Sequence, residues 1–217
     1  MVNGYEKVRI PCAVVDVDGT VIRGNSMREM IRFMLRGAVA ECDVRLIWAI
    51  ALRLLVRRLR LITHRVMKHP VHLMAEEYMA DSGRMARFID LLMAKAHPGV
   101  IKLIRDLQDR GVRILLATAA PDVYMRQLAK VLGADGYTAT ESAPDIDGYC
   151  ENRGVEKLAR AQRYAADRGW EISCVVTDHK DDLPLLSLMG VRRVLVAPDC
   201  ELCRSLEEAA LEYEVIR

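Results

Sequence analysis

Short apolar runs that stop at a polar turn recur along this chain, alternating with longer helical patterns. The first, Cys12-Ala13-Val14-Val15, ends in Asp16 and soon reaches Gly19. It is too short for a helix, is partly β-branched and halts at a turn signal, which predicts a strand buried on both faces. Similar runs span residues 112–118, 172–178 and 191–197, with a shorter strand at 136–140. Between them the spacing predicts helices over 100–109, 122–132, 155–168 and 183–189, several closed by glycine. Strand and helix in this alternation predict an α/β fold, a Rossmann-like parallel sheet covered on both faces.

One stretch breaks the rhythm. From residue 25 to 97 the pattern is helical, with almost no glycine or proline, and Pro98-Gly99 ends it. That is too long for a crossover between parallel strands. It predicts an all-helical cap over residues 23–97, inserted into a core made of 1–22 and 98–217. The length of 217 residues and the 52% apolar content suffice for a sizeable core. A net charge of only +2 gives no reason to expect nucleic acid as a partner.

The six cysteines are scattered, which fits reduced thiols better than a disulfide framework. Cys200 and Cys203 form a CxxC pair, but a zinc site needs further ligands and no second pair exists. Residues 1–9 lack the apolar centre of a signal peptide. The longest membrane-span candidate, 44–62, is interrupted by Arg45, Arg53, Arg57, Arg58 and Arg60. A cytoplasmic protein is expected, with peripheral membrane contact as a further option.

Ligands of such sheets bind at the carboxyl ends of the strands. Those ends here are Asp16-Val17-Asp18-Gly19-Thr20, Thr118-Ala119-Ala120 and Thr177-Asp178-His179-Lys180-Asp181-Asp182. Lys157 opens a helix nearby. Converging carboxylates repel one another unless a cation neutralises them, and oxygen ligands with a phosphate select Mg²⁺. Gly19 lets the chain turn, so Asp16 and Asp18 can serve as nucleophile and as acid/base. Thr118, followed by a predicted helix, offers a hydroxyl and backbone N–H groups to an anion, and Lys157 a fixed positive charge. The set describes metal-assisted phosphoryl transfer.

These residues resemble the four motifs of the haloacid dehalogenase-like hydrolases, in order and over almost the whole chain. Asp16 to Thr20 resembles DxDGT, and Leu115-Leu116-Ala117-Thr118 the apolar run ending in Thr or Ser. Lys157 resembles the third motif, and Asp178 with Asp182 the fourth, although His179 and Lys180 are unusual there and Asp181 is an alternative second acid. The resemblance implies a phosphatase in which Asp16 becomes an aspartyl phosphate and Asp18 protonates the leaving group and then activates water. It implies Mg²⁺ held by Asp16, the Asp18 carbonyl and Asp178, with Asp182 in support. It also implies that Thr118 and the Ala119 amide bind the phosphoryl group of a small phosphorylated substrate while Lys157 neutralises charge. The dehalogenase branch lacks an acid at the position of Asp18, so phosphate chemistry is expected.

The insertion point after the first motif is similar to that of the phosphoserine phosphatases. Those enzymes carry a glutamate where this chain has Asn25, and glycines where it has Ala119-Ala120, which argues against phosphoserine. Residues 44–75 hold seven Lys/Arg and no acid. On a helical wheel Arg45, Arg53, Arg57, Arg60 and Lys68 fall on one side, and Ile47, Trp48, Leu52, Leu55, Leu59 and Ile62 on the other. The basic, apolar cap and the residues around Lys157 resemble the bacterial phosphatidylglycerophosphate phosphatases. A lipid phosphate at an anionic membrane is therefore one alternative, and a non-catalytic protein binding through the cap is another. The simpler expectation is that the apolar side packs inside the cap and the arginines face water.

Overall fold

A computed structural model describes residues 9–217, so the reading of the N-terminal segment before Arg9 lies outside the described residues. Among them six strands form one parallel sheet: β1 (Ile10–Val15), β2 (Arg113–Pro121), β3 (Gly136–Thr140), β4 (Trp170–Thr177), β5 (Arg192–Val196) and β6 (Glu214–Ile216). The spatial order is β3-β2-β1-β4-β5-β6. From β1 the chain builds outward to β2 and β3, then crosses back to lay β4 on the other side of β1. The order therefore reverses between β1 and β4, where the diverging connections leave a crevice.

Both sheet faces are buried, as continuous apolar runs require. Ala13, Val15, Ile114, Leu116, Cys174 and Val176 point to one layer, and Cys12, Val14, Leu115, Ala117 and Val175 to the other. The first layer holds α5 (Pro98–Asp109) and α6 (Met125–Leu132), the second α7 (Val155–Asp167) and α8 (Leu183–Leu186). Two elements lay beyond the sequence reading: α9 (Cys200–Glu208), capped by Asp199, and the three-residue edge strand β6. The CxxC pair lies on α9, with both thiols free.

The helical insertion divides into α1 (Ser26–Ala40), α2 (Val44–Arg58), α3 (His64–Met79) and α4 (Ser82–Met93). Each starts at a residue whose side chain caps the first turn: Asn25, Asp43, Thr63 and Asp81. The ends of the insertion are tied together at its neck. His97 N–H donates to the Val21 carbonyl at 2.8 Å, and Arg23 N–H to the Lys95 carbonyl at 2.9 Å. The insertion shares one apolar cluster with the sheet, and Phe88 of α4 meets Tyr124 edge-on at 5.2 Å.

Two expectations for this region fail. Most of the apolar side expected to pack does not: Ile50 is buried and Leu46 and Leu54 pack inward, while Trp48, Leu52, Leu55 and Leu59 face solvent, although Ile62 packs on the core and Arg45 and Arg60 are exposed as expected. Arg53 and Arg57 lie on the half-buried side, where Arg53 Nη1 donates to the Ala49 carbonyl at 2.8 Å. Periodicity shows which residues share a face but not which face meets a neighbour, and here the narrower Leu46–Ile50–Leu54 side was chosen. Lys68, grouped on the wheel with the outward arginines, is buried instead.

Candidate active site

β1 and β4 run in register, Val15 opposite Val176, so their next residues emerge side by side in the crevice. Asp16 N–H still donates to the Val176 carbonyl at 2.9 Å, which holds the first carboxylate at the sheet edge. Lys157, in the first turn of α7, extends its ammonium to 2.6 Å from Asp16 Oδ1 and 2.7 Å from Asp182 Oδ2. Thr177 also donates to Asp182 Oδ2, at 2.7 Å. All four side chains are buried. Asp182, not Asp181, thus meets Lys157; Asp181 turns outward to Arg153. His179 is exposed and accepts the Asp181 N–H at 3.1 Å.

Asp178 lies across from Asp16. Thr20 Oγ1 donates to Asp178 Oδ1 at 2.9 Å and sits 3.5 Å from Asp16 Oδ2. Gly19 makes this approach possible. Its φ is +81°, in the left-handed region, and a Cβ on it would fall on the Asp178 carboxylate. Asp18 points elsewhere, accepting the Ser26 N–H at 2.8 Å at the start of α1. Ser26 Oγ in turn lies 2.6 Å from the buried Tyr124 hydroxyl. The turn at Gly19 therefore separates two aspartates only two residues apart in sequence.

Burial opposes charge on Lys157, Asp16, Asp178 and Asp18. Lys157 overcomes it with two carboxylates and is pushed up to about 12, so it is held as an ammonium. Asp16 has the one ammonium against the Asp182 and Asp178 carboxylates, and burial leaves its carboxyl above the ordinary range. Burial also raises Asp178 and Asp18, against the Thr20 hydrogen bond in the first case and those from Ser26 in the second. Such a cluster of oxygen donors, short of positive charge, fits a hard divalent cation.

Thr118 is buried, and its Oγ1 accepts the Ala120 N–H at 3.1 Å. The helix expected over 122–132 begins as a 3₁₀ turn at Asp122–Tyr124, four residues beyond Thr118, and continues as α6. β2 continues to Pro121, with a register shift between Ala117 and Pro121, and α6 starts at Met125. Any N–H groups offered near Ala119 therefore belong to an irregular strand end.

The cavity over these groups has a volume of about 510 Å³ and includes residues the sequence reading missed. Lys68 reaches in from α3, 2.7 Å from Glu151 Oε2 and 3.4 Å from the Ala119 carbonyl. Asn152 is buried beneath, donating to the Thr118 carbonyl at 3.0 Å. Arg28 of α1 and Arg153 also line the cavity. The signal for Glu151 and Asn152 was their position just before the Lys157 motif, while Lys68 lay hidden among the basic residues of 44–75. Apart from this cavity, His72 and Glu76 of α3 approach Asp122; His72 Nε2 is 2.9 Å from Asp122 Oδ1, tying α3 to the core.

Comparison with curated protein sequences gives no match. Solved structures match closely in fold. A protein of unknown function from Bordetella pertussis Tohama I superposes with a TM-score of 0.70 at 17% identity, over 97% of this chain and 99% of that one. A phosphoserine phosphatase, as a phospho-aspartyl intermediate analogue, gives 0.57 at 13% identity, over 96% and 94%. A phosphoserine phosphohydrolase-like protein from Francisella tularensis subsp. tularensis SCHU S4 gives 0.57 at 16%, over 96% and 95%. The sequence itself matches the haloacid dehalogenase-like hydrolases over residues 13–187, a span that contains every site residue described above, and the chain belongs to that family.

Proposed function

We propose that this protein is a Mg²⁺-dependent phosphatase that hydrolyses a phosphate monoester through an aspartyl-phosphate intermediate. The observation that carries the reading is the meeting of Asp16, Lys157, Asp182 and Asp178 at the carboxyl ends of β1 and β4, with Asp18 held apart by Ser26. An Asp16 carboxylate oxygen forms a bond to phosphorus as the bond to the leaving oxygen breaks. Asp18, as the carboxylic acid, gives its proton to that oxygen. It then takes a proton from water, whose oxygen attacks the acyl phosphate, and phosphate leaves with Asp16 restored. Lys157 balances charge on the phosphoryl oxygens, with Thr118 and the Ala119 amide as further donors. Asp182 acts through Lys157, holding its ammonium against Asp16.

Asp16, Asp178 and the Asp18 carbonyl are the groups that would hold Mg²⁺. When bound, the cation supplies Lewis-acid stabilisation of the phosphoryl oxygens. The insertion acts as the cap, since Lys68 and Arg28 come from its helices into the cavity. A protein that only binds has no use for a buried lysine between two carboxylates, so a purely binding role is disfavoured. Phosphoserine is also disfavoured, even though relatives in fold carry that name. Asn25 is neutral, and its Oδ1 is engaged in capping α1, accepting the Arg28 N–H at 2.8 Å.

The test is hydrolysis of a panel of sugar phosphates, phosphoamino acids, nucleotides and a phospholipid monoester, with Mg²⁺ and with EDTA. Turnover that needs Mg²⁺ and vanishes in folded Asp16→Asn is the expected result. Activity in Asp16→Asn near that of the wild type would overturn the nucleophile assignment. The preferred compound chooses between a soluble and a lipid phosphate.

A further inference from the structure

The outward face of α2 is unlike the rest of the surface. Val44, Trp48, Leu52, Leu55 and Leu59 follow one another at helical spacing, with Leu61 just beyond. Trp48 is 69% exposed, Leu52 55%, Leu55 53%, Leu59 58% and Leu61 71%. Large apolar side chains in a continuous stripe are rarely left to water without a partner. The helix does not need them for its own packing, because Leu46, Ile50 and Leu54 anchor it from the opposite side.

Charge says what the partner is. Arg45 and Arg58 are exposed at the two margins of the stripe, and Arg60 stands exposed past its end. No acid occurs anywhere between residues 44 and 75. An apolar stripe edged by arginine and free of acid fits an interface with acyl chains beneath and anionic headgroups at the rim. Among the described residues no helix is long and apolar enough to cross a membrane, so α2 would lie in the plane. A second copy of this chain would set arginine against arginine around a two-fold axis, which charge disfavours.

We propose that α2 docks this protein on an anionic lipid bilayer, with Trp48, Leu52, Leu55 and Leu59 inserted at the interface and Arg45, Arg58 and Arg60 against the headgroups. The surface is distinct from the catalytic cavity, so the inference stands apart from the phosphatase reading. It bears on that reading in one respect: a docked enzyme meets phosphate esters at the membrane surface.

The experiment is flotation with vesicles of phosphatidylcholine alone, and of phosphatidylcholine with about one third phosphatidylglycerol. A Trp170→Phe background leaves Trp48 as the sole tryptophan reporter, since the chain has two. The wild type is expected to float with the anionic vesicles and not with the neutral ones. Trp48 emission is expected to shift to the blue on binding. Leu52→Glu/Leu55→Glu and Arg45→Glu/Arg58→Glu should each weaken binding by about tenfold or more. Raising salt from about 0.05 to about 0.5 M should weaken it several-fold. Turnover of a soluble ester should not change in either variant, because none of these side chains lines the cavity. If a double variant loses its wild-type melting transition, Trp48→Ser at the centre of the stripe replaces it. Failure of the wild type to bind anionic vesicles overturns the proposal. So does equal binding to neutral vesicles, or a dimer in solution that Leu52→Glu/Leu55→Glu dissociates.

Discussion

At the scale of single residues the site is a problem of charge. Lys157 is a buried ammonium shared by two buried carboxylates, and removing one partner of such a group strands the rest. Lys157→Met should cost about 3–5 kcal/mol of stability by urea denaturation as well as abolishing turnover. Gly19→Ala tests a different point. Its Cβ would strike Asp178 from a backbone position that already disfavours side chains, so activity should fall below detection while the sheet still forms. Circular dichroism beside the phosphatase assay checks both halves. Tyr124→Phe removes the hydroxyl that holds Ser26, whose N–H orients Asp18. We expect kcat to fall roughly tenfold with KM unchanged, because an acid/base group contributes in the transition state.

At the scale of elements, strand burial governs reactivity. Cys12 on β1 and Cys174 on β4 are buried, and burial pushes their thiols up to about 12 and about 11. Thiolate is the reactive form, so neither should react with a thiol reagent at neutral pH in the native protein. Exposed Cys42, Cys150 and Cys200 should react at once, and mass spectrometry of peptides from labelled protein distinguishes the two groups. The four helix starts inside the insertion were not separated in the sequence, where 25–97 reads as one helical stretch, although Asn25, Asp43, Thr63 and Asp81 each carry a side chain that caps a first turn. Three elements read less clearly. α9 and β6 are short and close to the chain end, where periodicity has few residues to act on. β2 extends past Thr118 because backbone pairing with β3 resumes at Pro121, a non-local contact without a local signature.

At the scale of the whole molecule, the proposed cation site would couple metal binding to folding. A ligand held only by the native arrangement of carboxylates stabilises that arrangement by mass action. Mg²⁺ at about a hundred times its dissociation constant should raise the melting temperature by roughly 5–10 °C. The rise should vanish in Asp178→Asn, and a calorimetric scan with and without EDTA measures it. The neck ties the two ends of the helical insertion together by the backbone bonds of Val21 with His97 and Arg23 with Lys95. Lys68 with Glu151 at the cavity, and His72 with Asp122 away from it, make further ties between α3 and the core.

The sequence by itself determined the parallel α/β core and the helical insertion, because apolar period and turn residues are local properties. It also marked as candidates Asp16, Asp18 and Asp178, which follow the carboxyl ends of β1 and β4, Thr118 near the end of β2, and Lys157 in the first turn of α7. Tertiary structure alone decided which acid faces Lys157, since Asp181 and Asp182 are adjacent and only packing turns one inward. It alone brought Lys68 over the cavity and turned the Trp48 face of α2 to the outside. Those outcomes depend on contacts between segments far apart in the chain, and no local pattern records which face of an amphipathic helix its neighbours will cover.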